Sequence, residues 1–267
     1  MKEICVVIPM FGKEEYTRKC TDLCIKHSGI VHDIVVVDDC SPIPYADNRV
    51  HILRLEKNRG YTGATNEGIL YAQKNNYKYV LLLNNDTEPF PYFLRILYDA
   101  MEKDPVIGVA SSSRKMVTDS PYCIELFGED LIRGYQRMCD EKTDLPDVIH
   151  THWVPICSAL VRMDMIREIG ILDKHMRTWC SDNDFCIRAN FHGWNTSIVP
   201  KSRVLHIHQV TTGKTDTHKL SEGVYADQKV LLEKMANVKY AELMSKVPLD
   251  CESKTYGKLT FEVYKKT

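Results

Sequence analysis

Within the first hundred residues, short unbroken apolar runs alternate with longer segments of helical period. That alternation restricts the fold more than any other feature of the chain. Ile4-Cys5-Val6-Val7-Ile8 is apolar throughout and stops at Pro9, the pattern of a strand covered on both faces. Residues 14–27 then carry Tyr16, Cys20, Leu23, Cys24 and His27 at the spacing of one helix face. Residues 33–38 form a second buried strand, ending in the turn-rich Asp38-Asp39-Cys40-Ser41-Pro42, and residues 50–55 a third. Asn58-Arg59-Gly60-Tyr61-Thr62-Gly63 opens a helix to about Lys74, and residues 79–83 are a fourth strand that runs into Asn84-Asn85-Asp86.

Strands and helices joined this closely predict an α/β layer structure with a mostly parallel sheet. In such sheets ligands collect at the carboxyl ends of the strands. Polar residues cluster at those ends: Asp38, Asp39 and Ser41 after one strand, Asn84 to Asp86 after another. Either cluster alone is ordinary turn chemistry. Two at the same edge of one sheet point to a site.

The second half is less regular. Helix is expected over 91–103 and a strand over 106–111, followed by an irregular stretch over 115–150. Residues 153–162 read as a strand entering a short helix over 164–169, stopped by Gly170. A helix over 181–191 starts with acids and closes at Gly193. Two short strands are expected at 196–199 and 203–208, and a helix over 217–246. With no internal repeat, low-complexity segment or clear linker, the expectation is one domain over 1–215 with a helical extension over 216–267. Within that domain a nucleotide-binding half covers about 1–112 and an acceptor half about 113–215.

Charge and cysteine usage narrow the function classes. Lys+Arg number 35 and Asp+Glu 36, a formal net charge of -1, which gives no electrostatic reason for binding nucleic acid or anionic membrane. A local site for one anion is compatible with it. No apolar run reaches the ~20 residues that span a bilayer, and the opening residues lack a signal-peptide pattern. Ten cysteines without a CxxC pair read as reduced thiols, many of them core fillers. The expected location is cytoplasmic, with peripheral membrane association left open.

Two constellations could carry chemistry. Asp86 ends a buried strand with a carboxylate, a hard oxygen ligand of the kind Mg²⁺ or Mn²⁺ takes alongside substrate phosphates. One Asp is too few for a full shell. His206 or His208 could add an imidazole, and strand alternation allows at most one of them. Ser181-Asp182-Asn183-Asp184 opens a helix, where acids complement the dipole. Asp182 and Asp184 diverge on that helix. One of them can cap or pair with Arg188 while the other faces a cleft as a general base, its pKa expected to be lowered by the helix terminus.

In order along the chain, further short motifs join these: Val7-Ile8-Pro9, Val36-Val37-Asp38-Asp39-Cys40-Ser41, Asn58-Arg59-Gly60-Tyr61-Thr62-Gly63 through Asn66-Glu67-Gly68, and Leu82-Leu83-Asn84-Asn85-Asp86-Thr87. Ile169-Gly170-Ile171-Leu172-Asp173, Asp182 to Arg188, and Val204-Leu205-His206 follow. In this order and over residues 3–210 the chain resembles a family 2 glycosyltransferase of the GT-A fold, similar to its rhamnosyltransferase-like branch. The resemblance implies a Rossmann-like sandwich with helices on both faces of the sheet. It also implies an inverting transfer of a hexosyl or deoxyhexosyl group from a UDP- or dTDP-linked sugar to a hydroxyl of a glycan or other acceptor, assisted by Mn²⁺ or Mg²⁺.

The roles the resemblance implies fall on particular residues. Pro9, Phe11, Asp38, Asp39 and Ser41 would hold the base and ribose, one Asp accepting from the base N3–H. Gly60 and Gly63 would let backbone approach the nucleotide, with Asn58 and Asn66 in support. Asn84-Asn85-Asp86 corresponds to the DxD element, Asp86 being the metal ligand with His206 as a late contact. Asp182 corresponds to the catalytic base and Asp173 to an acceptor-side turn. Asn84 departs from the first DxD carboxylate, and Ser181 stands where relatives often carry Glu.

Other readings fit less well. A dinucleotide oxidoreductase needs GxGxxG after the first strand, where Pro9-Met10-Phe11-Gly12 stands. A sugar nucleotidyltransferase needs a glycine- and arginine-rich loop there. A catalytically silent nucleotide-sugar or glycan-binding module would keep Asp38 and Asp39 but has no need of Asp182.

Overall fold

In chain order the elements are β1 (Ile4–Met10), α1 (Glu14–His27), β2 (Asp33–Asp38), β3 (His51–Arg54), α2 (Gly60–Lys74) and β4 (Tyr79–Leu83). Next come β5 (Thr87–Pro89), α3 (Phe93–Lys103), β6 (Ile107–Met116), β7 (Ile149–Thr151), β8 (Ser158–Arg162) and α4 (Met163–Ile169). The chain continues with α5 (Ser181–Phe191), β9 (Asn195–His206), α6 (Thr217–Ala236), β10 (Cys251–Tyr256) and β11 (Leu259–Tyr264). This computed structural model describes residues 3–116, 146–151, 153–207, 217–236, 251–256 and 259–264.

Every residue of β1 is buried because both its faces are covered. Successive side chains of a strand point to opposite faces. Ile4, Val6, Ile8 and Met10 therefore join one core, packed against Cys20 and Cys24 of α1 and Phe93, Leu94, Leu97 and Met101 of α3. Cys5 and Val7 join a second core with Ala64 and Ile69 of α2, Met165 and Ile166 of α4, and Phe185 of α5. Helices thus cover both faces of the sheet. Each fully buried Ile, Leu or Phe contributes roughly 1.5–3 kcal/mol.

The main sheet runs β3-β2-β1-β4-β8-β6-β9-β5, with β7 also on β9. The pairs β1/β2, β1/β4, β2/β3 and β6/β9 are parallel. Strand β8 lies antiparallel between β4 and β6, so β6 and β9 share the direction of β1 to β4. Strands β5 and β7 run antiparallel to β9. Six co-directional strands and three reversed ones make the mixed, mostly parallel sheet of an α/β sandwich.

Several boundaries differ from expectation. The two strands expected at 196–199 and 203–208 are one strand, β9. Its pairing with β6 passes from Ser112↔Val199 to Ser113↔Arg203, so Pro200 to Ser202 bulge out. A proline has no N–H for the ladder, and a bulge is where a strand tolerates one. The strand expected over 153–162 begins only at Ser158, and β6 continues to Met116.

Residues 117–145 of the stretch expected to be irregular lie outside the described residues, as do His208 and residues 237–250. Beyond Thr217, where a helical extension was expected, the described chain holds α6 and the antiparallel pair β10–β11. No helix among the described residues is long and apolar enough to cross a membrane.

Candidate active site

Because β1, β2, β4, β6 and β9 run the same way, their C-terminal ends meet at one edge. Pro9 and Phe11 follow β1, Asp39 follows β2, Asn84, Asn85 and Asp86 follow β4, Arg114 lies near the end of β6, and His206 ends β9. Together with Asp182 at the start of α5, all of them line one cavity of about 440 Å³. Asn58 and Gly60 line it as well. Asp38, Ser41, Gly63 and Asn66 do not.

Asp38 is fully buried and its carboxylate accepts from the backbone of Ser41 (2.8 Å) and Tyr45 (3.1 Å) and from the Arg54 guanidinium. Arg54 faces it because the β2/β3 register sets the two residues opposite each other. Burial works to raise the Asp38 pKa, but these donors outweigh it and hold the group below the usual carboxylate range. Ser41 belongs to the same knot, its Oγ accepting from the Gly12 N–H at 2.9 Å. Both residues shape the loop after β2 instead of reaching into the cavity.

Asp39 does reach it. Its two oxygens accept from the N–H groups of Arg59 (2.6 Å) and Gly60 (2.9 Å), which anchors the start of α2 beside the cavity. Burial raises the Asp39 pKa, and those amides and nearby Arg177 offset only part of the effect. Gly60 has φ +75°, and a Cβ there would lie 2.5 Å from Arg177 Cγ and 2.9 Å from its carbonyl oxygen. The close approach that this glycine permits is to the Arg177 segment. Asn66 is occupied elsewhere: its Nδ2 donates to the Leu172 carbonyl at 2.9 Å, and its Oδ1 accepts the Leu172 N–H at 3.0 Å.

At the end of β4, Asn85 donates to Thr17 Oγ1 at 3.1 Å, which fixes the turn. The β5/β9 register sets Thr87 opposite His206 and so brings the imidazole beside Asp86. His206 Nε2 lies 3.1 Å from Asp86 Oδ1 and 3.3 Å from Asn84 Nδ2. Burial alone would lower the His206 pKa. The Cys157 sulfur and the Asp86 carboxylate beside it outweigh burial and raise it to about 9. The Asn84 Oδ1 atom is buried with no hydrogen-bond partner. The Asp86 carboxylate and the unsatisfied Asn84 oxygen are hard donors that suit Mn²⁺ or Mg²⁺, and the His206 imidazole can join them once it gives up its proton. Among the described residues no three His, Cys, Asp or Glu side chains cluster to hold a metal.

Asp182 and Asp184 divide as helical spacing requires. Asp184 is fully buried and accepts from Arg188 Nε at 2.8 Å and Lys234 Nζ at 2.5 Å. Asp182 faces the cavity, its Oδ1 accepting the Asn183 N–H at 2.9 Å. The lowered pKa expected for a helix terminus is not what its surroundings give. Burial raises it, and the neighbouring amide, Arg114 and Trp153 recover only part. Asp173 sits away from the cavity, held by Lys234 Nζ at 2.7 Å and the His175 N–H at 2.9 Å.

Arg114, Cys157, Arg177 and Trp179 also line the cavity and were not anticipated. Arg114 and Arg177 give it two guanidinium groups, the side chains best suited to bidentate phosphate contacts. Burial pushes the Cys157 thiol up, but His206 and Arg114 outweigh it and bring the group below its ordinary value. Arg114 follows a run of serines and Arg177 lies in the irregular stretch before α5, so neither carried a pattern; the sheet order brings Arg114 to the cavity, and contacts with Asn58 and Thr62 hold Arg177 there.

A sandwich with this strand order, carrying its cavity at the C-terminal edge, is the GT-A architecture. Two solved structures share it: S. aureus TarS residues 1–349, and GalNAc-T7 with UDP, GalNAc and Mn²⁺. The first matches at TM-score 0.59 and 13% identity, covering 91% of this chain and 68% of TarS 1–349. The second also matches at TM-score 0.59, with 14% identity, covering 95% of this chain and 59% of that one. The model of the family described as glycosyl transferase family 2 matches residues 5–169, and the chain belongs to that family. The protein named Glycosyltransferase GlyG, from Streptococcus pneumoniae serotype 4 (strain ATCC BAA-334 / TIGR4), is 25% identical over 137 residues. That match spans 48% of this chain and 44% of the relative, less than half its length.

Proposed function

We propose that this chain is an inverting glycosyltransferase that moves a hexosyl or deoxyhexosyl group from a UDP- or dTDP-linked donor to a hydroxyl of a glycan or other acceptor. The observation that carries this reading is the convergence of Asp39, Asp86 and Asp182 on one cavity from three separate stretches of chain. Asp39 receives the base N3–H while it still accepts from Arg59 and Gly60, since a carboxylate offers about four lone-pair sites. Arg114 and Arg177 hold the diphosphate by charge-assisted hydrogen bonds. Asp86, His206 and Asn84 are the residues for Mn²⁺ or Mg²⁺. When bound, the ion neutralises charge on the departing diphosphate. Mn²⁺ and UDP in the GalNAc-T7 structure support that assignment by analogy of fold.

Asp182 takes the proton from the acceptor hydroxyl as that oxygen attacks the anomeric carbon. Attack from the face opposite the diphosphate inverts the carbon in one displacement through an oxocarbenium-like transition state. No covalent intermediate is needed. We read the enzyme as cytoplasmic, a reading that the free thiols of Cys5, Cys20, Cys24, Cys40, Cys157, Cys180 and Cys186 support.

The test is a panel of UDP- and dTDP-sugars with Mn²⁺, Mg²⁺ or chelator, reading released nucleoside diphosphate alongside calorimetric binding. Metal-dependent release with at least one donor is expected. Tight binding with no release from any donor, in the presence of a hydroxyl acceptor panel, replaces the enzyme with a silent nucleotide-sugar binding module.

A further inference from the structure

The stretch from Asp173 to Asp184 carries Trp179, Cys180, Ser181 and Asp182 to the cavity, and it lies beyond residue 169, where the family match ends. Its conformation is held from outside, by one face of α6. Asp227 is buried, and its Oδ1 accepts the Arg177 N–H at 2.9 Å. Its Oδ2 accepts the N–H groups of Thr178 and Trp179, each at 2.8 Å. Seven residues on, and so on the same helix face, Lys234 Nζ donates to Asp173 Oδ2 at 2.7 Å and Asp184 Oδ1 at 2.5 Å. Both ends of the stretch and its middle are therefore gripped by Asp227 and Lys234, neither of which lines the cavity.

The grip on Arg177 has a counterpart on the other side. The Arg177 carbonyl accepts the Thr62 N–H at 3.1 Å, and its guanidinium donates to Asn58. One peptide is thus pinned between α6 and the start of α2. Immediately after it the chain passes through Cys180 at φ 60° into Ser181 and Asp182. Three consecutive N–H groups without an acceptor would each favour a different loop conformation, one in which water or another carbonyl satisfies them.

We propose that Asp227 is a positioning residue for the transfer site. It acts through the backbone of Arg177, Thr178 and Trp179 to set where Arg177 and Asp182 stand in the cavity. This rests on the transferase reading above, and it adds to that reading a helix from outside the matched region as part of the working site. The Asp227 carboxylate is not among the groups that line the cavity.

The experiment compares the parent with Asp227→Ala and Asp227→Asn by two readouts. Trp179 is one of three tryptophans, so a Trp153→Phe/Trp194→Phe background, used only for fluorescence, isolates it as a reporter. In Asp227→Ala the acrylamide quenching constant of Trp179 is expected to rise at least twofold and kcat to fall tenfold or more, with cooperative thermal unfolding retained. Asp227→Asn keeps one acceptor oxygen of two and should fall between parent and alanine on both readouts, which separates loop positioning from global misfolding. Unchanged Trp179 quenching overturns the proposal, as does a loosened Trp179 with parental kcat. A parent inactive with every donor counts against the transferase reading alone. The second readout then becomes UDP affinity with Mn²⁺, where a severalfold weakening in Asp227→Ala supports the proposal and parental affinity overturns it.

Discussion

The carboxylates at this site differ in what surrounds them more than in where they sit in the sequence. Asp38 and Asp39 are adjacent, yet Arg54 and the Ser41 and Tyr45 amides claim the first while the second opens onto the cavity. Which of the pair faces inward was not legible from sequence, because it depends on the β2/β3 register that brings Arg54 opposite Asp38. Asp182 repeats the lesson with the opposite sign. Its place at a helix start predicts a depressed pKa, but burial dominates and raises it above 3.8. The ionised form is what a general base needs, so kcat should rise with pH through that raised value, giving an acid limb displaced upward from that of an ordinary carboxylate. Stability runs the other way. A raised pKa penalises the folded state as the group ionises; the penalty is absent below the unfolded value and grows as pH rises through the folded one. Asp182→Asn should therefore lose most transfer, retain donor binding, and melt no lower than the parent at neutral pH. A pH–rate profile with calorimetry checks all three, and parental kcat in Asp182→Asn removes the base assignment.

At the scale of elements, regular periodicity was readable and sheet partners were not. Helix α1, strand β2 and helix α5 fall at their expected bounds, α1 from the spacing of its apolar face, β2 from an unbroken apolar run, and α5 from the acids at its start and the glycine that follows it. Strands β5 and β7, three residues each, carry too little pattern to be read and owe their extended form to pairing with β9. Strand β9 read as two strands because Pro200 interrupts it, and only the bulge against β6 joins the halves. Helix α2 adds a constraint that composition hides. A Cβ at Gly68 would lie 2.1 Å from Val7 Cγ1, where β-branched Val7 is buried in β1 and has no freedom to turn aside. Gly68→Ala should cost about 1–3 kcal/mol by overpacking. Val7→Ala removes the clashing methyls, so the double variant should be more stable than the sum of the two single losses predicts. Denaturant melts of the four proteins measure this coupling, and strict additivity would place the helix–strand contact elsewhere.

For the whole molecule, the consequence of the sheet order is that no single stretch of chain owns the site. Asp39 and Asp86 come from the first hundred residues, Asp182 and His206 from the last part of the sandwich, and the cavity lies where the two sets meet. A ligand that engages both sets binds only the folded chain, so it stabilises the entire fold by mass action. At a hundred times its dissociation constant the gain is about 2.7 kcal/mol. In a protein of this size each kcal/mol moves the midpoint by roughly 2–4 °C. UDP or dTDP with Mn²⁺ should thus raise Tm by about 5–10 °C at that concentration, and by clearly less in chelator. In Asp86→Ala the difference between metal and chelator should vanish, whereas the smaller shift from nucleotide alone should persist through Asp39 and the two arginines. The comparison is made within each variant, so a lower starting Tm does not disturb it. Equal shifts with metal and chelator in the parent would take the ion away from Asp86. A metal-dependent shift surviving in Asp86→Ala would move it to other residues. Either result would leave the nucleotide site intact and change only how the leaving diphosphate is held.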